Sequence, residues 1–144
     1  MLIVITGNGK GKTTAALGQA LRVIGDGGKA VMFQFIKGPW VSGEDKIISK
    51  IKNQTSKIKD KDLLEGLENL YDFDIIKGGL GFVGIRGDNY PMSAHIKKAE
   101  ETWAMAKKAV ESKKYDLIVL DELNIALDLK LLKLSPVYSF LKKN

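Results

Sequence analysis

The chain contains no cysteine. That removes disulfide frameworks and thiolate metal sites from consideration. It contains one histidine, His95, which excludes a histidine-based metal centre and argues against a histidine general base. A lone histidine on a helix face is expected at the surface. Aromatic residues are 8% of the sequence, and few of them interleave with the lysines, so no base-stacking surface is evident. Long hydrophobic runs are also missing. Segments such as Leu117-Ile118-Val119-Leu120 are far too short to cross a membrane. The apolar run from Leu2 reads as a first strand, which leaves no room for a signal peptide and makes a cytoplasmic location the expectation.

What is present starts with charge. The formal net charge is +6 at pH 7. Lysine crowds residues 46–61 (Lys46, Lys50, Lys52, Lys57, Lys59, Lys61) and the tail (Lys130, Lys133, Lys142, Lys143). These read as solvated helix faces, or as positive potential that draws in anionic ligands. Neither a nucleic-acid partner nor a membrane partner is expected. The 144 residues suffice for one domain with a real core, and residues 1–144 read as a single P-loop nucleotide-binding domain.

Strand and helix signals alternate along the chain. A first strand is expected at about 2–6 and a first helix at about 12–25, stopped by Gly25-Asp26-Gly27-Gly28. Ala30 to Ile36 forms the second strand, broken by Gly38-Pro39. Residues 44–70 carry apolar positions suited to one or two helices, separated at Asn53-Gln54-Thr55-Ser56. A short strand at Phe73-Asp74-Ile75-Ile76 precedes the glycine-rich loop 78–84. The clearest helix spans 92–112, after Pro91 and with Ser93 as a candidate N-cap. Trp103 at helical spacing is expected in the core. A buried strand, Tyr115 to Leu120, ends in Asp121-Glu122, and a helix at roughly 134–143 closes the chain. This alternation implies an α/β, P-loop NTPase-like parallel sheet covered by helices on both faces. Ligands in such sheets sit at the carboxyl ends of the strands.

Two motifs carry chemistry. Residues 2–14 read Leu-Ile-Val-Ile-Thr-Gly-Asn-Gly-Lys-Gly-Lys-Thr-Thr. Gly7, Gly9 and Gly11 let backbone N–H groups crowd around phosphate oxygens. Lys12 can bring a point charge to them. Thr13 can offer its hydroxyl to Mg²⁺, and the helix that opens here points its positive end at the anion. The loop departs from the usual G-x-x-x-x-G-K-[ST] pattern in starting with Thr6 and in carrying a second lysine, Lys10. The other motif is the apolar strand that delivers Asp121 and Glu122 to the same edge. Mg²⁺ takes oxygen ligands alongside substrate phosphates, so Thr13 with a carboxylate is a coherent set. Arg86 and Asp88, in the glycine-rich loop, read equally well as ligand contacts or as a turn with a surface ion pair.

Four segments together resemble the P-loop corrinoid adenosyltransferases. Gly7-Asn8-Gly9-Lys10-Gly11-Lys12-Thr13-Thr14-Ala15-Ala16 is similar to that family's nucleotide loop, whose departure from a glycine start matches Thr6. Gln34-Phe35-Ile36-Lys37-Gly38, followed by Ser42-Gly43-Glu44, is similar to its second-strand motif. Gly79-Leu80-Gly81-Phe82 resembles its glycine-phenylalanine loop, and Asp121-Glu122-Leu123-Asn124 its acidic motif. The resemblance implies that a Co(I) corrinoid attacks the 5′ carbon of ATP and that triphosphate leaves. It implies Mg²⁺ with ATP as co-substrate, cob(I)alamin or another corrinoid as acceptor, an electron donor such as a reduced flavoprotein, and a homodimer. Carried over by position, Asn8, Lys10, Lys12, Thr13 and Thr14 touch nucleotide, and Phe82 touches corrinoid. Lys12, Thr13 and Glu122 are the implied catalytic residues; Thr13, Asp121 and Glu122 are the implied metal ligands.

The chain departs from the family pattern at three places. Gly84 stands where the family has a tryptophan two residues after the phenylalanine. Residues 45–72 are longer and richer in lysine. The chain is expected to be C-terminally short, without the family's further strand and threonine-glycine-arginine motif. Two other readings of the residues stay open: a small P-loop ATPase or kinase, and a non-catalytic module that binds ATP or corrinoid.

Overall fold

The computed structural model describes residues 1–55 and 72–144. Sequence expectations for the second half of the lysine-rich segment, including Lys57, Lys59, Lys61 and Leu63 to Leu70, lie outside the described residues. The elements are α1 (Lys12–Gly25), β1 (Ala30–Gln34), α2 (Gly43–Thr55), β2 (Phe73–Lys77), α3 (Met92–Ser112), β3 (Leu117–Asp121), α4 (Leu123–Asp128) and α5 (Leu134–Lys143). No described helix is long and apolar enough to cross a membrane.

The three strands form one parallel sheet in the order β2-β1-β3. β1 is central, and all of its residues are buried. Its period-2 alternation feeds two cores. Val31 and Phe33 point to one face, where Ala99, Trp103 and Ala106 of α3 pack with Val137 of α5. Ala30 and Met32 point to the other, where they meet Ala20 and Ile24 of α1, with Ile48 of α2 against them. Burial on both faces explains why this strand reads as a continuous apolar run. The sheet is therefore covered by helices on both faces, as an α/β P-loop NTPase-like fold requires. Trp103 sits in the core with its ring edge-on to Phe140, 5.5 Å between centroids.

The expected first strand is not formed. Residues 1–7 pair with no strand among the described residues, and Leu2, Ile3, Val4 and Ile5 are 39–67% exposed. Four consecutive apolar residues gain from pairing only when both faces are covered. The described elements cover neither face of this run. β3 forms the sheet edge instead, and its residues from Leu117 to Leu120 are only partly buried.

Two smaller expectations also change. α3 begins at Met92, with extended Pro91 as its N-cap and no side-chain cap, so Ser93 lies inside the first turn. Proline's fixed φ and missing N–H suit it to this boundary. His95 is not a surface residue: it is 3% exposed, and its Nε2 lies 2.9 Å from Asp88 Oδ1. A carboxylate partner within hydrogen-bond reach makes the ring tolerable in the interior.

Candidate functional site

The strand register builds the site. Gln34, the last residue of β1, is the Cα partner of Asp121 on β3 and of Lys77 on β2. The three side chains thus form a polar row across the carboxyl edge of the sheet. By the alternation of β3, Asp121 falls on the side of Leu117 and Val119, which pack against the α1 face. That direction carries its carboxylate to the start of α1. Thr13 Oγ1 donates to Asp121 at 3.0 Å from Oδ1 and 3.3 Å from Oδ2, and Gln34 Nε2 donates to Oδ2 at 3.0 Å. The structure therefore joins the two motifs that sequence places 108 residues apart.

The phosphate loop takes the shape its glycines permit. Gly7, Gly9 and Gly11 have φ of 134°, 82° and 106°. Side chains at these angles would be strained, and glycine is not. Lys12 Nζ donates to the carbonyls of Gly7 at 2.8 Å and Gly9 at 2.7 Å, so its ammonium lies across the mouth of the loop. α1 starts directly at Lys12 with no side-chain cap, which leaves its first N–H groups for an anion. Asn8, Lys10 and Thr14 belong to this segment, and the whole loop through Gly11 is exposed.

Glu122 follows Asp121 and also lines the neighbouring pocket. Its φ of 62° turns the chain out of β3 and into α4. Its Oε2 is buried without a hydrogen-bond partner. Burial raises the Glu122 carboxyl above its ordinary range, and the neighbouring Asp121 charge adds to this, while Lys37 and Lys12 oppose it. Lys37 Nζ stands 2.6 Å from Glu44 and 4.0 Å from Asp121. Its hydrogen bond is the main reason that the Glu44 carboxyl is held down at about 2.

Asp121, Thr13 and Glu122 offer oxygen donors only. No group of three or more histidine, cysteine or acidic residues set to hold a metal occurs among the described residues. That donor set fits Mg²⁺, which binds through one or two carboxylates together with substrate phosphates. The unpartnered Glu122 oxygen is the group such an ion would satisfy.

Beyond Glu122 opens an apolar pocket of about 470 Å³. Ile36, Trp40, Phe82, Ile85, Ile125 and Leu129 supply its apolar walls, and Lys37 and Glu122 also line it. The segment bearing Trp40 is pinned by Asp45 at the start of α2. Asp45 accepts from the Ser42 N–H at 2.6 Å and the Ser42 hydroxyl at 2.7 Å, opening α2. Lys77 Nζ ties Asp45 to the Trp40 carbonyl, donating to both. The Phe82 side is held by Asp88, which accepts from Gly84 N–H at 2.7 Å and Tyr90 N–H at 3.0 Å and also pairs with His95. Those backbone bonds come first in holding the Asp88 carboxyl down at about 2. Asp88 therefore shapes the loop from within; no ion pair joins it to Arg86 among the described residues.

The sequence reading singles out the loop, the acids and Phe82; the structure sets Gln34 and Lys37 beside Asp121 and Trp40 beside Phe82, none of which that reading singles out as a site residue. The signal for Gln34 was a lone amide in an otherwise apolar strand, where a polar group needs a specific partner. Trp40 gave no such signal, because its neighbour Phe82 is remote in sequence.

Comparison with known proteins gives a consistent answer. The sequence model of the family described as ATP:corrinoid adenosyltransferase BtuR/CobO/CobP matches residues 1–144. A corrinoid adenosyltransferase of Escherichia coli (strain K12) is 35% identical over 125 residues, covering 85% of this chain and 51% of that protein. Corrinoid adenosyltransferase CobA of Salmonella typhimurium (strain LT2) is 33% identical over 143 residues, covering 98% of this chain and 60% of that protein. A corrinoid adenosyltransferase of Sinorhizobium sp is 31% identical over 143 residues, covering 99% and 58%. The chain thus spans between half and three-fifths of the length of these relatives.

Proposed function

The chain belongs to the ATP:corrinoid adenosyltransferase family, and we propose from that premise that it transfers the 5′-deoxyadenosyl group of ATP to the cobalt of a reduced corrinoid. The observation that carries this reading is that Lys37, which lines the apolar pocket, stands 4.0 Å from Asp121, the carboxylate that accepts from Thr13 at the end of the glycine-rich loop of residues 7–13. The loop suits a polyanion and the pocket suits a large apolar ring.

In this reaction the Co(I) substrate supplies the electron pair. A cobalt–carbon bond forms at C5′, the C5′–oxygen bond breaks, and the pair leaves with triphosphate. The protein need not provide a nucleophile. Its residues hold C5′ in line and bind a leaving group of high charge. The loop N–H groups of residues 7–14 and the N-terminus of α1 take phosphate oxygens. Lys12 gives up its contacts with the Gly7 and Gly9 carbonyls to reach them. Thr13, Asp121 and Glu122 are the residues that would hold Mg²⁺, which when bound offsets triphosphate charge. Gln34 fixes the Asp121 carboxylate in register. Phe82 meets the corrinoid in the apolar pocket.

The proposal includes a single nucleotide-binding domain over residues 1–144, a separate electron donor such as a reduced flavoprotein, and a homodimeric assembly. Its test is the identity of the phosphorus product. With MgATP and a chemically reduced corrinoid, ³¹P NMR should report triphosphate. ADP or orthophosphate as the primary product would replace this reading with that of an ATPase or kinase.

A further inference from the structure

The pocket contains an aromatic pair that no single segment of sequence provides. Trp40 and Phe82 stand 6.1 Å apart between ring centroids and are tilted by 43°. Trp40 is 60% exposed and Phe82 53%, so both present ring surface to the pocket rather than to the core. Large apolar side chains held at such exposure mark a surface meant to be covered.

The ring of Trp40 has a prepared seat. A Cβ at Gly38 would come 2.5 Å from Trp40 Cζ3, and one at Gly81 would collide with the same ring. Gly81 also has φ of 101°, which disfavours any side chain. Two glycines from separate segments therefore make room for one indole. The backbone beneath it is fixed as well, by Lys77 at the Trp40 carbonyl and by the Ser42–Asp45 cap. Gly84, two residues after Phe82, contributes no ring, and a Cβ there would meet nothing within 4 Å.

We propose that Trp40 is a positioning residue for the corrinoid: with Phe82 it forms the aromatic wall against which the macrocycle lies, in the pocket that Glu122 also lines. The inference rests on the adenosyltransferase reading and deepens it. The apolar face of a conjugated macrocycle matches a tilted pair of exposed rings, and aromatic contact adds to burial by face-to-edge electrostatics and dispersion. The pocket's position beyond Glu122 sets the macrocycle next to the 5′ end of a nucleotide whose phosphates occupy the loop.

Equilibrium dialysis with hydroxocobalamin, on the chain as it stands, tests this. Trp40→Ala should weaken hydroxocobalamin binding about tenfold. Trp40→Phe should restore it to within about threefold. ATP affinity and the thermal midpoint should stay at wild-type values in both variants. Wild-type hydroxocobalamin affinity in Trp40→Ala would overturn the role of Trp40 and leave the transferase reading standing. An equal loss of ATP affinity or of thermal stability would also overturn it, by showing a general structural role. Failure of the wild-type chain to bind hydroxocobalamin would overturn the corrinoid reading itself, and this inference with it.

Discussion

The phosphate loop and the apolar pocket lie at the same sheet edge but are built in opposite ways. The loop uses consecutive residues, Gly7 to Thr13, and its binding groups are mostly backbone. Its shape follows from positive φ at three glycines. The pocket draws on residues 36–42, 81–85 and 122–129, and its binding groups are side chains. Its shape follows from packing and from a few buried ionic contacts. A loop of the first kind recognises a chemical group common to many substrates. A pocket of the second kind recognises one substrate. On the proposed function, the difference assigns generic phosphate affinity to residues 7–13 and the identity of the acceptor to the walls around Trp40 and Phe82.

Lesions at the two ends should separate cleanly. Lys12→Ala is expected to have the largest effect, lowering kcat/KM by on the order of a thousandfold, as loss of a charge that stabilises a leaving group does. Hydroxocobalamin binding should persist in that variant when measured by dialysis. Asp121→Asn should weaken Mg²⁺-dependent ATP binding by about a hundredfold. A titration of ATP affinity against Mg²⁺ checks this, and loss of corrinoid affinity in the same variant would break the separation.

Gly81→Ala should act on the pocket alone. It combines left-handed strain with collision against the Trp40 ring, and should cost about 2 kcal/mol in thermal or urea unfolding. Gly84→Ala has the strain without the collision and should cost about 1 kcal/mol. Equal costs would contradict the seat assigned to Trp40.

The smallest expected effect is a pH dependence on the Phe82 side. Asp88 is held at about 2 in the fold against an ordinary value of 3.8. A carboxyl whose pKa is lower in the folded state stabilises the fold above its unfolded pKa. That contribution fades as pH falls through the folded value. The difference in thermal midpoint between wild type and Asp88→Ala should therefore be constant above about 4 and shrink as the pH approaches about 2. A difference that grows on acidification would be inconsistent with the bonds from Gly84 and Tyr90.

The same contrast decides what the sequence made legible. α1, β1, β2, α3, β3 and α5 were readable within a few residues, because each has its own apolar period and its own breakers. The meeting of the loop with the acids was readable, because each motif sits at the carboxyl edge of the same parallel sheet. The first strand was misread, since an apolar run at residues 2–5 specifies a buried strand only if neighbours cover it. His95 was misplaced because its partner, Asp88, lies in a loop whose fold is set by backbone hydrogen bonds. Trp40 was invisible as a site residue for a similar reason: its contact with Phe82 depends on the register that sets β1 beside β2.

In the proposed reaction carbon, not phosphorus, is transferred. ATP labelled with ¹³C at the 5′ position, incubated with the chain, Mg²⁺ and a Co(I) corrinoid, should yield a corrinoid whose labelled carbon is bonded directly to cobalt, with one triphosphate released for each bond formed. Label that remains in ADP or AMP, with the corrinoid unmodified, would contradict it.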